Sequence, residues 1–279
     1  MTTVAAVIGS PVAHSLSPAI HNAAFAATGI DWIYRAVEVA PGAAGSALDH
    51  MRAGGYGGLS VTMPHKDDVA RLVDRPSPDV LALGAANCVV ADPDGALRGE
   101  STDGPGFVRS LLDAGVDPAG ARCCVLGAGG AARAVVLALA RAGAAEVAVV
   151  NRTRAKAQRA AALAGVAGSV ADAPPPATDV LVNATSIGMG TDEVPVDLDR
   201  LHPGLVVGDL VYHPRRTALL AAAEAAGATT VDGLGMLVHQ AALAFELWTG
   251  IDAPVAAMRS AAERELGERD AGEAAADPD

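Results

Sequence analysis

The sequence predicts an α/β protein of two domains, and three observations support this prediction. Short apolar runs alternate with Ala-rich stretches of helical spacing along most of the 279 residues. A Gly-rich turn separates one of these apolar runs from the helix that follows it. The turn-rich segment Gly115–Gly120 divides the alternation into two halves. Repetition of strand, helix and strand indicates mostly parallel sheets with right-handed crossovers.

The predicted strands are short apolar runs bounded by turn residues: Val4–Gly9, Ile33–Val39, Gly58–Thr62, Asn87–Ala91, Arg122–Leu126, Glu146–Val150, Asp179–Asn183 and Leu205–Leu210. The helical patterns between them include Ala19–Thr28, Phe107–Ala114, Ala131–Ala142 and Thr217–Ala226. A glycine follows each of these helices, as is common where a helix ends in a left-handed residue. Two apolar helices, Met236–Trp248 and Ala253–Leu266, come after the last strand.

From this order we expect residues 1–103 to form a first α/β domain, on which residues 237–266 pack back. Residues 118–236 are expected to form the second domain. Residues 267–279 carry an excess of acidic side chains and only one basic side chain, Arg269. This end is predicted to be a solvated, disordered tail.

Composition excludes several classes of function. The net charge of −12 argues against a nucleic-acid partner, because phosphate binding requires Lys and Arg patches. No uncharged apolar run reaches the roughly 18 residues of a membrane span. Three cysteines without a CxxC pattern fit a reducing compartment, so a cytoplasmic location is expected. The scattered histidines predict no metal site.

The segment Gly127-Ala-Gly129-Gly-Ala-Ala132 lies between an apolar strand and a helix, which is the context of a dinucleotide-binding fingerprint. Gly127 would permit the tight turn, and Gly129 would let the backbone approach a pyrophosphate. Ala132 would keep the helix close to the sheet, with the helix N-terminus facing the anion. A purely structural glycine turn is the alternative.

The end of the next strand predicts NADP(H) rather than NAD as the cofactor. NAD enzymes place an Asp or Glu about 20 residues after the glycines, to bind the ribose 2′-hydroxyl. Here the strand continues as Asn151-Arg152-Thr153-Arg154, with no acid. Arg152, with Arg154 or Lys156, can bind a 2′-phosphate through charge-assisted hydrogen bonds. The alternative is an ordinary solvated start of a helix.

A third segment of this half, Asn183–Met189, also follows a strand and includes Thr185. The carboxyl ends of strands in a doubly wound sheet open onto the ligand crevice. Its small polar residues are therefore predicted to line the nicotinamide side of the cofactor. An ordinary loop is the competing interpretation.

Two serines precede the first helix. Ser17 is expected to be its N-cap and Pro18 its first residue, which is a structural role. A functional role is equally compatible with the spacing, because the hydroxyls of Ser15 and Ser17 at the positive end of a helix could hold a carboxylate.

Lys66 and Asp103 are the candidate proton-transfer groups. Lys66 follows the carboxyl end of the strand Gly58–Thr62, and Asp103 lies in a turn. Taken singly, each is compatible with a surface or turn role. Together they suit carbonyl reduction, in which the alkoxide formed by hydride transfer must be protonated. The same pair would act as the base in the reverse reaction.

From Gly9 to about Leu266 the sequence resembles the shikimate dehydrogenase family. Seven motifs in the family's order carry the resemblance: Gly9-Ser-Pro-Val-Ala-His-Ser-Leu-Ser-Pro18, Val61-Thr-Met-Pro-His-Lys66, Thr102-Asp-Gly104, Gly127-Ala-Gly-Gly-Ala131, Asn151-Arg-Thr153, Asn183-Ala-Thr-Ser186 and Asp232-Gly-Leu-Gly-Met236. The resemblance implies a substrate-binding domain, a Rossmann NADP-binding domain, and last helices that return to the first domain. It also implies reversible, NADPH-dependent reduction of 3-dehydroshikimate to shikimate, a step of chorismate and aromatic amino-acid biosynthesis.

The resemblance also implies a set of site residues. Lys66 would be the acid/base group, paired with Asp103, and Ser15 and Ser17 would bind the substrate carboxylate with Tyr212 nearby. The ring hydroxyls would be bound by Thr62, Asn87, Asp103 and Gln240. The residues implied to hold NADP(H) are Gly127, Ala128, Gly129, Gly130, Ala131, Asn151, Arg152, Thr153 and Lys156, with Leu210 and Gly233 close to the nicotinamide.

Departures from the family pattern flank the substrate pocket. Ser60 stands where the family often has Asn, and Cys88 follows Asn87 where Thr is usual. Glu100 and Ser101 replace an Asp-Asn pair. These departures bear on substrate identity, so a quinate or aminoshikimate dehydrogenase of the same family is the first alternative. His65 stands beside the lysine where an aromatic or apolar residue is frequent, and we expect it to be a space-filling residue.

Two more distant alternatives fit the motifs less well. A folate-type methylene dehydrogenase shares the two-domain plan, but the two serines and the Lys66/Asp103 pair count against it. A non-catalytic NADP-binding sensor would have no need of a proton donor. The sequence does not determine the oligomeric state, and a homodimer is compatible with it.

Overall fold

The chain folds into two α/β units, each built on a six-stranded sheet. The computed structural model describes residues 2–276. The first unit contains the residues up to Thr102 and those from Ala241 onward, and the second unit is Asp103–Gln240. In the described part of the chain, no helix combines the length and the apolar character needed to cross a membrane.

The first unit begins with ten elements: β1 (Thr3–Gly9), α1 (Ser17–Thr28), β2 (Trp32–Glu38), α2 (Ala44–Arg52), β3 (Gly58–Val61), α3 (Lys66–Leu72), β4 (Arg75–Pro76), α4 (Pro78–Leu83), β5 (Cys88–Ala91) and β6 (Leu97–Glu100). The second unit contains α5 (Asp103–Asp113), β7 (Arg122–Leu126), α6 (Gly130–Arg141), β8 (Glu146–Val150), α7 (Arg154–Ala161), β9 (Gly168–Ala171), β10 (Val180–Asn183), β11 (Val206–Asp209), α8 (Ala218–Ala225) and β12 (Thr229–Val231). Helix α9 (Gly233–Thr249) starts in the second unit and ends in the first, where α10 (Val255–Ala276) follows.

The sheet of the second unit is parallel throughout, with the strand order β12-β11-β10-β7-β8-β9. Its central strands are apolar runs because helices cover both faces of such a sheet. All four residues of β10 are buried. The strand order reverses between β7 and β10, which is the position where doubly wound sheets bind ligands beyond the carboxyl ends of the strands.

The sheet of the first unit is mixed, with the order β2-β1-β3-β5-β6-β4. Strands β1, β2 and β3 are parallel, whereas β5 is antiparallel to both β3 and β6. The amino end of β5 therefore lies at the same edge as the carboxyl ends of β3 and β6. In the same unit, α10 packs against α1.

All eight predicted strands are present, with bounds within one residue at each end. Four further strands, β4, β6, β9 and β12, are short and escaped prediction, as did α2, α3, α4 and α7. The four glycines expected to follow helices all have positive φ: Gly29, Gly115, Gly143 and Gly227.

Three boundaries differ from those expected from the sequence, and one of them is that residues 237–240 belong to the second unit and not to the first. Helix α5 belongs to the second unit, because Gly104 lets it approach α6 so closely that a Cβ there would lie 2.3 Å from the Ala134 carbonyl oxygen. Helix α10 continues through residues 267–276, which were expected to be tail, because Ala, Glu and Arg all have high helix propensity. Residues 277–279, the rest of the predicted tail, lie outside the described residues.

Candidate active site

Three predicted substrate residues of the first unit come together where β1, β3 and β6 end and β5 begins. The Thr62 amide donates to the Ile8 carbonyl at 2.9 Å, and the Val61 amide donates to the Asn87 carbonyl at 2.8 Å. The Ala86 amide donates to the Lys66 carbonyl at 3.0 Å. Backbone hydrogen bonds thus place Thr62, Lys66 and Asn87 at one edge of the sheet.

The Asn87 side chain fixes the residue that precedes Asp103. Its Nδ2 donates to Thr102 Oγ1 at 2.9 Å, and its Oδ1 accepts from the Thr102 amide at 2.7 Å. Asn87 and Thr102 are both buried. Asn87 therefore has a structural function, and its contact with a substrate hydroxyl stays a prediction.

Lys66 is the first residue of α3, and the side chain before it is anchored. His65 is fully buried, and its Nε2 lies 2.8 Å from the Val39 carbonyl oxygen. Because a carbonyl can only accept, Nε2 carries the proton. His65 was expected to fill space, but this bond also ties the start of α3 to the chain leaving β2.

The two serines are arranged differently from the N-cap prediction. The residue preceding α1 is Leu16, whose carbonyl accepts from the Ile20 amide, so Ser17 is the first helical residue and not the N-cap. Ser15 Oγ accepts from the Ser17 amide at 3.2 Å, which satisfies one free amide of the first turn. The helix therefore starts one residue earlier than predicted, and the two serines lie together at its positive end.

The loop that leads to these serines is held by Glu38, which the sequence analysis missed. Ser10 Oγ donates to Glu38 Oε1 at 2.6 Å, and the Val12 amide donates to Oε2 at 3.1 Å. The sequence feature that could have indicated this role is a carboxylate on the last residue of a parallel strand.

Ser17 adjoins a buried polar cluster formed by His21 and Tyr34. Their rings are stacked with centroids 4.3 Å apart. Burial lowers the pKa of His21 to about 3 and raises the pKa of Tyr34. Tyr34 Oη has Ser17 and Ser60 as polar neighbours, yet neither it nor the His21 ring nitrogens form a hydrogen bond with any residue in the described part of the chain.

In the second unit, the Gly-rich loop after β7 has the geometry expected of a dinucleotide-binding turn. Gly127 has φ +109°, and a Cβ there would lie 2.8 Å from the Ala184 carbonyl oxygen. By contrast, Cβ atoms built on Gly129 and Gly130 would meet nothing within 4 Å. Gly129 precedes α6 and offers no side chain to cap it. The loop that carries Ala128 thus leaves open space in front of the N-terminus of α6, which includes Ala131, and this space fits a pyrophosphate.

The basic residues after β8 are not equivalent. Arg154 Nη1 lies 3.1 Å from Asp172 Oδ1, just beyond β9. Arg152 and Lys156 are exposed and form no ion pair with an acid in residues 2–269. Asn151 Nδ2 donates to the Thr153 carbonyl at 3.0 Å and so shapes the turn. Arg152 and Lys156 are therefore the cations available to a 2′-phosphate.

The loop after β10 is held by Asn183, which is fully buried. Its Oδ1 accepts from Thr185 Oγ1 at 2.7 Å and from the Thr185 amide at 3.1 Å. Its Nδ2 donates to the Ile187 carbonyl at 3.0 Å and to Asp209 Oδ1 at 2.9 Å. Thr185 Oγ1 also accepts from the Ile187 amide at 3.1 Å. The Thr185 hydroxyl is thus used within the loop, and its contact with a cofactor stays a prediction.

Asp209, the last residue of β11, is only 1% exposed and was not predicted as a site residue. Besides the Asn183 bond, its Oδ1 accepts from the Val211 amide at 3.0 Å and its Oδ2 accepts from Thr217 Oγ1 at 2.7 Å. Burial raises the pKa of Asp209, and these hydrogen bonds oppose that rise. The available signal was an acid inside the apolar run Leu205–Leu210.

The remaining predicted residues of the second unit lie at or near the starts of helices and the end of β11, except Gln240. Asp103 is the first residue of α5, where a carboxylate is favoured by the helix dipole. Gln240 lies on α9, and its Nε2 donates to the Leu237 carbonyl at 2.8 Å. Half-buried Tyr212 follows β11. A Cβ on Gly233 would lie 2.6 Å from the Leu210 carbonyl oxygen, so the backbone approach requires glycine.

Neither metal binding nor thiol chemistry is built into the described residues. No group of three His, Cys, Asp or Glu side chains could hold a metal ion there. Cys88, Cys123 and Cys124 are buried. Burial raises the pKa of Cys123 and of Cys124 to about 12. Lys66 and Asp103 belong to different units, and their pairing stays a prediction.

Sequence profiles of known families match three parts of this chain. The shikimate dehydrogenase substrate binding domain matches residues 7–89. The shikimate/quinate 5-dehydrogenase profile matches residues 112–186, and the shikimate 5′-dehydrogenase C-terminal domain matches residues 233–263.

Individual proteins are similar over nearly the whole length. The shikimate dehydrogenase (NADP(+)) of Moorella thermoacetica is 44% identical, covering 98% of this chain and 97% of that protein. The structure of shikimate 5-dehydrogenase from Thermus thermophilus in complex with NADP(H) and shikimate has a TM-score of 0.87 at 37% identity, covering 95% of this chain and 100% of that one. The ligand-free 5-ketofructose reductase of Gluconobacter sp. strain CHM43 has a TM-score of 0.89 at 35% identity, covering 95% and 99%.

Proposed function

Because this chain belongs to the shikimate dehydrogenase family, we propose that it catalyses the reversible, NADPH-dependent reduction of 3-dehydroshikimate to shikimate in chorismate and aromatic amino-acid biosynthesis. The observation that carries this proposal is the location of Thr62, Lys66 and Asn87 at one edge of the first sheet. A dinucleotide-binding loop accompanies it in the second unit. We assign the first unit to the substrate and the second to the cofactor.

The residues around the Gly-rich loop fit NADP(H). Backbone amides at the start of α6 would hold the pyrophosphate, since no side chain caps that helix and no Cβ fills the space before it. Arg152 and Lys156 would hold the 2′-phosphate, because they are exposed and the end of β8 carries no acid. Bound NADPH supplies the hydride. Thr185, Leu210 and Gly233 are assigned to the nicotinamide side.

The first unit would bind the substrate and supply most of the proton chemistry. Ser15 and Ser17 would hold the carboxylate at the positive end of α1, with Tyr212 of the second unit beside it. Lys66 would donate a proton to the ring oxygen as it becomes a hydroxyl, and would accept it in the reverse direction. Asp103 would orient Lys66. The other ring hydroxyls are assigned to Thr62, Asn87, Asp103 and Gln240.

A related substrate is the second candidate, for two reasons. Ser60 and Cys88 face each other across β3 and β5, and both depart from the family pattern beside Asn87. A protein of similar structure reduces 5-ketofructose according to its name, so this fold accepts other polyol ketones. Quinate and an aminoshikimate are the corresponding alternatives here. A cytoplasmic location and a homodimeric assembly are further parts of the proposal.

The test is absorbance at the NADPH band with purified protein. Shikimate, quinate and 5-ketofructose would each be offered, with NADP(H) and with NAD(H), in the direction appropriate to the compound. Oxidation of shikimate with NADP, at least tenfold faster than any other pair, is the expected result.

Preference for quinate, 5-ketofructose or NAD would overturn the substrate or cofactor assignment while leaving the fold and the proton chemistry in place. Tight NADPH binding without turnover of any compound would overturn the enzymatic proposal in favour of an NADP-binding sensor. Gel filtration with light scattering would decide the oligomeric state.

A further inference from the structure

We propose that Asp209 is a positioning residue, whose buried side chain holds in place the two loops assigned to the nicotinamide half of the cofactor. The inference rests on the proposed function, because the loops are the segments after β10 and β11 that the proposed function assigns to the nicotinamide. Its structural basis is a set of hydrogen bonds centred on Asp209 and confined to the second unit.

The hydrogen positions around Asp209 require an acceptor at Oδ1. Asn183 Nδ2 and the Val211 amide are donors, and both are directed at Oδ1. The Leu220 amide donates to Thr217 Oγ1, which caps α8, and the Thr217 hydroxyl is hydrogen-bonded to Oδ2 at 2.7 Å. The Asp209 side chain is thus the common partner of three polar groups.

Each partner belongs to a different segment at the carboxyl edge of the sheet. Asn183 links Asp209 to the loop after β10, because its Oδ1 accepts hydrogen bonds from both the amide and the hydroxyl of Thr185. Val211 lies in the chain leaving β11, between Leu210 and Tyr212. Thr217 starts α8. A single buried side chain therefore sets the positions of two cofactor-binding loops and one helix start.

Leucine has nearly the shape of aspartate but accepts no hydrogen bond. In Asp209→Leu, Asn183 Nδ2 loses one of its two acceptors, and the Val211 amide and the Thr217 hydroxyl lose this partner. We expect the loop after β10 to loosen, while the Gly-rich loop after β7, which has no bond to Asp209, stays in place.

The experiment compares wild type with Asp209→Leu in three measurements. Hydrogen exchange of the Thr185 and Ile187 amides should accelerate at least about tenfold. Turnover with shikimate and NADP should fall about tenfold or more, because displacement of a cofactor loop disturbs hydride transfer. The Kd of 2′,5′-ADP, which contains only the adenosine half of the cofactor, should stay within about twofold.

A milder pair of variants covers the case in which Asp209→Leu does not fold. Thr217→Val removes the hydroxyl at Oδ2 and keeps the side-chain shape, whereas Thr217→Ser keeps the hydroxyl. Thr217→Val should show the same pattern at a smaller size, and Thr217→Ser should restore wild-type exchange at Thr185 and Ile187. Asp179→Leu is the matched control, since it removes a carboxylate that binds Arg122 at the opposite edge of the same sheet.

Two results would overturn the inference: unchanged exchange at Thr185 and Ile187 in Asp209→Leu, or a loss of 2′,5′-ADP affinity as large as the loss of turnover. The second result would mean that the carboxylate merely supports the whole unit. Failure of the wild type to turn over shikimate, with the exchange difference present, would overturn the proposed function alone and leave the positioning role standing.

Discussion

Two buried polar clusters, one in each unit, differ in their hydrogen bonding. In the second unit, the buried side chains of Asn183, Asp209 and Thr217 hydrogen-bond to one another and to neighbouring loops. In the first unit, His21 and Tyr34 are just as deeply buried, but their ring nitrogens and hydroxyl have no hydrogen bond to any residue the structure describes.

The difference shows that burial alone does not tell what a polar residue does. A bonded buried group adds stability and holds loops, as Asp209 does for the cofactor side. A buried group without a partner costs about 1–3 kcal/mol and has to be offset by packing. His21 and Tyr34 are packed in this way, within an aromatic cluster that includes Trp248. The second unit is therefore expected to give a firm cofactor platform, and the first unit to be the more sensitive to acid.

The largest effect is expected from Lys66→Ala, which tests whether proton transfer depends on this lysine of the first unit. Turnover should fall about 10³-fold, within the range for loss of a general acid. The Kd of NADPH should not change, because the cofactor residues belong to the second unit. Steady-state kinetics and a fluorescence titration with NADPH measure the two quantities.

Lys66→Arg is the control that separates charge from proton transfer. Arginine keeps the positive charge but does not give up its proton near neutral pH. It should therefore retain substrate affinity while staying slow. Equal loss of turnover and NADPH affinity in Lys66→Ala would instead mean that the lysine has a structural role, and the division of labour between the units would be abandoned.

Arg152→Ala is expected to have the second largest effect, and in contrast to Lys66→Ala it should weaken the binding of NADPH. A charge-assisted hydrogen bond to a phosphate is worth about 1.5–3 kcal/mol, so the Kd of NADPH should rise roughly 10- to 100-fold. The Kd of NADH, which has no 2′-phosphate, should stay the same. Calorimetric titrations with both cofactors would measure this difference.

Arg159, an exposed arginine farther along α7, provides the matched control for charge. Arg159→Ala removes the same charge from the same helix and should leave both Kd values nearly unchanged. If NADH and NADPH weaken alike in Arg152→Ala, the case for a 2′-phosphate site at this turn is lost.

His21→Leu tests the acid sensitivity of the first unit. The pKa of His21 in the folded protein is lowered to about 3, below its ordinary value near 6.5. As the pH falls below 6.5, His21 therefore binds a proton in the unfolded chain but not in the folded protein, and the folded protein loses stability. Between pH 7 and pH 5 this residue should remove about 2 kcal/mol from the free energy of unfolding. The leucine variant should not show this part of the loss.

Urea unfolding followed by tryptophan fluorescence reports on the correct unit. The chain has two tryptophans, Trp32 and Trp248, and both belong to the first unit. The comparison uses the change between the two pH values, so any packing difference introduced by leucine cancels. If wild type and His21→Leu lose the same free energy of unfolding between pH 7 and pH 5, His21 is hydrated or hydrogen-bonded in solution. The contrast between the two units would then weaken.

The smallest effect is expected from Asp172→Asn. Asp172 pairs with Arg154 at 3.1 Å, but both side chains are largely exposed, at 95% and 64%. Such pairs are worth less than about 1 kcal/mol, so releasing Arg154 should tighten NADPH binding by only about twofold at low salt. The gain should vanish at high salt and be absent for NADH. A larger gain would mean that Arg154, and not only Arg152 and Lys156, binds the phosphate.

Much of the second unit could be predicted because its signals are local. Strands β7 and β8 have the bounds read from the sequence, since buried parallel strands are continuous apolar runs between turn residues. The Gly-rich turn and the basic residues after β8 are likewise contiguous. In the first unit, β6 was missed because its sequence, Leu-Arg-Gly-Glu, alternates apolar and polar residues over only four positions.

By itself the sequence therefore determined the fold class, the type of cofactor, and the serine, lysine and aspartate candidates, because each depends on neighbours within a few residues. Only the tertiary structure decided what Glu38, His65 and Asp209 contact. The contacts of Glu38 with Val12, of His65 with Val39 and of Asp209 with Asn183 all cross 26 positions of sequence. Hydrogen bonds over such separations form only when the sheets bring the strand ends together, and no local pattern encodes them.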